Sequence, residues 1–152
     1  MSHRSTIRIG DYEVERHHIR WVEAELRRYP QRVRRIAWLE ECIATESGRV
    51  DDGTARGSGT GDPTFSRVVA MERNRELHQL RAWRKTIDGI MDGLPEDQRR
   101  VIETLYFDGR YTLDGAADAL QMGRATVCRL RNKALLAFVA TLIGDHAIRV
   151  IA

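Results

Sequence analysis

Two cysteines, three prolines, two lysines and no long hydrophobic run set the first limits on this 152-residue chain. Cys42 and Cys128 lie in unrelated segments, so no disulfide framework is indicated and both are expected as free thiols in a reducing, cytoplasmic compartment. The longest apolar stretch, from Ala134 to Ile143, is interrupted by Thr141 and is too short to cross a bilayer. Met1-Ser2-His3-Arg4 does not begin a secretory signal, so no membrane partner is expected. The two lysines, Lys85 and Lys133, leave nearly all positive charge to arginine, and the formal net charge of +3 is modest. Any case for a polyanionic partner must therefore rest on local placement of charge, not on the total.

Signatures of catalysis and of cofactor binding are also missing. Gly57-x-Gly59-x-Gly61 follows no apolar strand and precedes no Gly-Lys-Ser/Thr, which argues against a nucleotide cradle. His3, His17, His18, His78 and His146 do not form metal-ligand spacing with the cysteines. Asp51, Asp52 and Asp62 lack the alternating carboxylates and terminal glutamate of a calcium loop. With no nucleophile and base in a recognisable pattern, neither enzymatic activity nor a cofactor or metal is expected.

What the chain does have is helical periodicity. Ile19, Val22, Leu26, Tyr29, Val33 and Ile36 step by threes and fours, a heptad-like seam that keeps its phase across Pro30. Proline disfavours helix at the residue before it, so a break is expected near Tyr29-Pro30, with a second helix running to about Ala44. Ser47 to Gly61 is rich in glycine, aspartate and small polar residues and reads as a linker. Asp62-Pro63 then reads as cap and first turn of a long helix with Leu80, Trp83, Ile87, Ile90 and Leu94 on one face.

The C-terminal third carries the most informative pattern. Pro95 with Glu96 and Asp97 marks a helix start, and Val101, Ile102, Leu105 and Tyr106 give that helix an apolar face before it stops at Asp108-Gly109. Thr112 caps a short helix with Leu113, Ala116, Ala117 and Leu120 inward, and Met122 plugs the turn that follows. A third helix buries Val127, Leu130, Ala134 and Phe138 and presents Arg124, Thr126, Cys128, Arg129, Asn132 and Lys133. Between Gln121 and Leu142 there are four basic residues and no acidic one. Short helix, turn and cationic helix is the layout of a helix-turn-helix, whose second helix enters the DNA major groove.

Leu94, Pro95, Glu96, Arg99, Val101, Tyr106, Gly109, Thr112, Leu113, Ala117, Leu120, Arg124, Thr126, Val127, Arg129, Lys133, Ala134 and Leu135 resemble the pattern of the region-4 helix-turn-helix of sigma-70 factors. Upstream, Tyr29-Pro30 and the segment from Gly57 to Thr64 are similar to phage ArpU/RinA-like transcriptional regulators. The resemblance implies a regulator of phage or prophage late genes in a bacterial host cell, binding DNA through its C-terminal module. Two positions depart from the sigma-like turn, which carries glycine and then serine where this chain has Gln121 and Gly123. Glycine in place of a side-chain cap costs on the order of a few tenths of a kcal/mol. Gly115, inside the short helix, costs roughly 1 kcal/mol against alanine.

The expected fold is all-α, with long N-terminal helices, a Gly-rich linker and a C-terminal three-helix helix-turn-helix module. Its divisions are a helical region at 1–46, a linker at 47–62, a long connecting helix at 63–93, the module at 94–143 and an apolar tail at 144–152. The C-terminal stretch from Leu135 onward, with Leu136, Phe138, Val139, Leu142, Ile143, Ile148, Val150 and Ile151, is too apolar for a lone surface helix and should pack on upstream helices or another subunit. The expected partner is double-stranded DNA, met by Thr112, Arg124, Ala125, Thr126, Cys128, Arg129, Asn132 and Lys133. Arg124, Thr126 and Arg129 would reach base edges, Asn132 and Lys133 phosphates. RNA polymerase and a second copy of the chain, as a homodimer, are further candidate partners. The leading reading is a sequence-specific transcriptional regulator. A phage DNA-packaging adaptor of the terminase small-subunit kind and a polymerase-binding sigma-like factor stand beside it.

Overall fold

The computed structural model describes residues 5–50, 63–109 and 112–151, with side chains described at all of these except 47–50. Helices dominate, as the periodicities predict, and a small sheet joins them. The order is β1 (Thr6–Ile9), β2 (Tyr12–Glu15), α1 (Arg16–Arg27), α2 (Tyr29–Val50), α3 (Pro63–Gly93), α4 (Glu96–Ile102), α5 (Leu113–Leu120), α6 (Arg124–Leu142) and β3 (Ile148–Val150). The chain divides into two compact units, one of residues 1–30 with 87–152 and the other of residues 31–86.

The first unit holds the sheet and the C-terminal helices. β1 and β2 pair antiparallel with Ile7 opposite Val14 and Ile9 opposite Tyr12, and Gly10 takes φ +59° at the first of two turn residues. β3 adds to β2, with Val14 opposite Ile148 and Tyr12 opposite Val150, and the Ile151 amide donates to the Asp11 carbonyl at 2.7 Å. The N-terminal segment expected to be helical therefore begins as a hairpin, and the apolar tail ends as its third strand. This gives Ile148 and Val150 the partner that a helix finishing the module would not supply.

α1 lays Ile19, Val22 and Leu26 into this core and packs on α6. It ends at Arg27 with Arg28 as its cap, and Pro30 falls in the first turn of α2, where a missing amide proton costs nothing. The seam read as one phase is thus cut at the expected place. α4 starts behind Pro95 with Glu96 and Asp97 in its first turn, and continues into a π-helical turn at Glu103–Phe107. That turn seats two adjacent aromatics. Tyr106 is buried with its hydroxyl on Glu23 at 3.0 Å, and Phe107 stacks on Tyr29 at 4.2 Å between ring centroids. Gly109 at φ +61° ends the helix where the Asp-Gly pair predicts.

The second unit is a pair of antiparallel helix segments from α2 and α3. Ile36, Leu39 and Leu77 form its buried seam, with Ile43 and Leu80 packed against it. Arg32 stacks over Trp83, and Arg35 and Arg73 over Trp38, so partner numbers fall along α3 as they rise along α2. Arg35 grips Glu76 with two bonds of 2.7 and 2.9 Å, Arg81 binds Glu40 at 2.7 Å, and Arg73 pairs with Glu46. α2 runs to Val50, past both Ala44 and the expected start of the linker. The remaining linker positions, including the Gly57–Gly61 triplet and the Asp62 cap, lie outside the described residues, as do Asp51 and Asp52. No helix among the described residues is long and apolar enough to cross a membrane.

Candidate nucleic-acid interface

The site is built by α5, the turn after it and the first half of α6. Thr112 takes extended backbone before α5, and its hydroxyl oxygen accepts the Gly115 amide at 3.1 Å. Thr112 is therefore exposed but engaged as the cap. Gly115 sits in the first turn that this bond closes. Ala116, Ala117 and Leu120 are buried, and the small alanines let α6 come close enough for Val127 and Leu130 to join Val101, Ala117 and Leu120 in one cluster.

The turn itself closes by a double bond pattern. Gln121 adopts φ 55° and ψ 43°, its amide donates to Asp118 O at 3.2 Å, and the Met122 amide donates to Ala117 O at 2.9 Å. This is the Schellman arrangement, in which the left-handed residue is followed by an apolar one that packs back onto the helix end. Met122 does so, against the cluster that contains Ala117. A left-handed glutamine costs roughly 1 kcal/mol that a glycine there would not. Gln121 is the one non-glycine residue with positive φ among the described residues.

Gly123, extended at φ −69° and ψ 149°, caps α6 with no side-chain bond, and its carbonyl accepts the Val127 amide at 3.0 Å. No acidic residue stands in the first turn of α6. The positive end of its macrodipole is thus left uncompensated from within, and an anion there is favoured.

Each expected contact residue can now be placed. Arg124, Ala125, Arg129 and Lys133 are exposed, while Thr126, Cys128 and Asn132 are half-buried. At 100° per residue, Ala125, Arg129, Asn132 and Lys133 share the face opposite Val127, Leu130 and Ala134. Thr126 flanks that face on one side, Cys128 and Arg124 on the other. Arg124 meets Asp114 Oδ1 at 3.4 Å, with both side chains mostly exposed, so the pair is screened and readily exchanged. Asp114 is a residue that sequence reasoning did not connect to the site; its place at the second position of α5, under the cap, was the available signal.

Arg131 separates from the other cations of α6. It turns into a cleft lined by Glu23, Arg27, Leu105, Tyr106, Gly109 and Leu113, and its guanidinium leans on Asn132 Oδ1 at 3.3–3.4 Å. In that cleft, burial and then the Glu23 carboxylate push the Tyr106 hydroxyl well above its ordinary range, which keeps it protonated and donating. The Tyr106–Glu23 bond ties α1 to the helix before α5 and so fixes the module that carries α6. Elsewhere in this unit His17 and His18 are neighbours, with ring centroids 4.1 Å apart, and His146 lies close enough to help lower the His18 pKa, after burial and His17.

A cap, a Schellman turn and an outward cationic helix on a three-helix core define a helix-turn-helix. The family model for sigma-70, region 4, matches residues 90–137, from the end of α3 to beyond the cationic half of α6. The module is therefore a region-4-like helix-turn-helix, the DNA-binding architecture of transcription proteins. No curated protein and no solved structure matches the chain.

Proposed function

We propose that this chain is a sequence-specific transcriptional regulator that reads double-stranded DNA with the first half of α6. The observation that carries the reading is a coincidence: the region-4 match spans the same residues that form a doubly hydrogen-bonded turn and an exposed, acid-free cationic helix face. Arg129, at the centre of that face, is suited to a bidentate bond with guanine O6 and N7. Arg124 and Thr126 would reach flanking base edges. Lys133 and Asn132 would meet phosphates, with Ala125 and Cys128 allowing close approach, and Thr112 would stand near the backbone. The likeness of Tyr29-Pro30 and of 57–64 to ArpU/RinA-like regulators supports a phage or prophage late-gene role inside a bacterial host cell.

Selection from a random duplex pool at near-physiological salt tests this reading. The parent should enrich a defined motif that an Arg124→Ala/Arg129→Ala variant loses. Absence of enrichment by the parent defeats the sequence-specific reading. The region-4 match also favours a second reading, in which the module docks on RNA polymerase; retention of the chain by polymerase with no duplex affinity of its own is the result that selects it. A homodimer on paired half-sites is the assembly we expect on DNA. A ring of many copies in solution would point instead to a packaging adaptor.

A further inference from the structure

The charge of this chain is not where the reading helix is. Residues 31–86 hold eleven of the 25 Lys and Arg residues but only eight of the 22 Asp and Glu residues, which accounts for the whole net charge of +3. The unit that carries α6 is neutral overall, one of its reading-helix arginines is engaged by Asp114 and another, Arg131, faces a cleft. Affinity for duplex DNA comes in large part from neutralised phosphates. A unit whose cations are matched one for one by carboxylates has less of that to offer than the hairpin, with its excess of three.

α3 supplies a continuous alternative. Arg67, Asn74, His78, Arg81 and Lys85 follow one another at steps of seven, four, three and four, which returns to the same line of a helix after five turns. All five are exposed, and the line is about 27 Å long at 1.5 Å per residue. No carboxylate lies on it. Glu72 and Glu76, the two acidic residues of α3 in this unit, fall on the opposite flank, where Arg75 and Arg35 engage them. Arg81 shares Glu40 with solvent, its side chain still 57% exposed, while Arg67 and Lys85 have no ion pair among the described residues. Beyond Thr86 the same line turns acidic at Asp88 and Asp92, in the other unit.

We propose that this stripe of α3 is a second, sequence-independent contact with the phosphate backbone of double-stranded DNA. It rests on the DNA-reading assignment of α6 and adds to it a division of labour: α6 chooses the sequence and the hairpin supplies charge. Helices α2 and α3 join the hairpin to the unit that carries α6 within one chain, so one molecule carries both contacts.

The experiment measures the affinity of the full chain for its selected duplex and for a scrambled duplex between 50 and 200 mM salt, the range over which phosphate contacts dominate the change. An Arg67→Gln/Lys85→Gln variant should bind both duplexes more weakly and show a slope of log K against log salt shallower by about two, about one per lost contact, with the preferred sequence unchanged. Arg67→Lys/Lys85→Arg, which keeps both charges, should retain the parental slope. A parental slope in the glutamine variant, with sequence preference intact, overturns the inference and leaves the stripe to an acidic protein surface. A parent that binds no duplex overturns the reading of α6 and this inference together, and is thereby distinguished from failure of the stripe alone.

Discussion

The unit that carries α6 and the helical hairpin bury apolar side chains on different scales. Among the described residues the hairpin buries three, Ile36, Leu39 and Leu77, whereas the other unit buries twenty, from Ile9 in the sheet to Val139 in α6. Charge follows the opposite order: the densely packed unit is neutral and the thinly packed one is cationic. A two-helix seam of three buried residues supplies little free energy per ordered residue, and two of the three Arg–Glu pairs that flank it, Arg35–Glu76 and Arg81–Glu40, are exposed and individually weak. Packing thus concentrates in the unit that holds the helix-turn-helix.

The largest effects should come from that difference in packing. Phe138 is fully buried in the C-terminal half of α6, and Phe138→Ala should cost about 3–5 kcal/mol of the stability of its unit in denaturant unfolding. Leu39→Ala should cost the hairpin about 2–5 kcal/mol, toward the lower end because a thin seam collapses more easily around the gap. Hydrogen exchange separates the two: Leu39→Ala should speed exchange within 31–86 and leave α6 protected. Equal loss of protection in α6 would abolish the contrast between the units.

A smaller effect comes from Tyr106. Its hydroxyl pKa is raised in the folded state, first by burial and then by Glu23, so the folded chain holds the proton more tightly than the unfolded chain. The stability this contributes is complete below the ordinary tyrosine pKa of about 10 and falls as pH rises beyond it. Thermal unfolding of the parent should therefore show a decline above about pH 10 that Tyr106→Phe reduces; equal declines would show that this group carries none of it. The smallest effect is at the turn. Gln121→Gly should stabilise the module by about 1 kcal/mol or less, because relief of left-handed strain is partly offset by the freedom glycine gains on unfolding. A loss of stability would contradict the turn geometry.

Much of this was legible in local spacing. The Thr112 cap, the Met122 plug, the inward residues of α5 and α6 and the break before Pro30 each depend on neighbours within a turn or two, and local chemistry decides them. The heptad-like seam was legible as a face but not as a set of partners: Ile19, Val22 and Leu26 pack in one unit and Ile36 in the other. The sheet was missed although Ile7-x-Ile9-Gly10-Asp11-Tyr12-x-Val14 alternates around a turn pair, the ordinary signal of a hairpin. Its third strand lies more than 130 residues away, and no local pattern in Ile148–Val150 names β2 as its partner. In the candidate site the helix and its outward face were legible. The turning of Arg131 into a cleft and the tie between Arg124 and Asp114 were not, because both depend on which neighbour stands beside a flank position.

In the proposed function Arg129 reads a base from the exposed face of α6. Its most direct test is the ratio of affinities for the selected duplex and a scrambled one, measured for the parent and for Arg129→Ala at one salt concentration. The account predicts that the variant loses about 1–3 kcal/mol of that discrimination, with preference relaxed at one base position. A ratio equal to the parent's would contradict it.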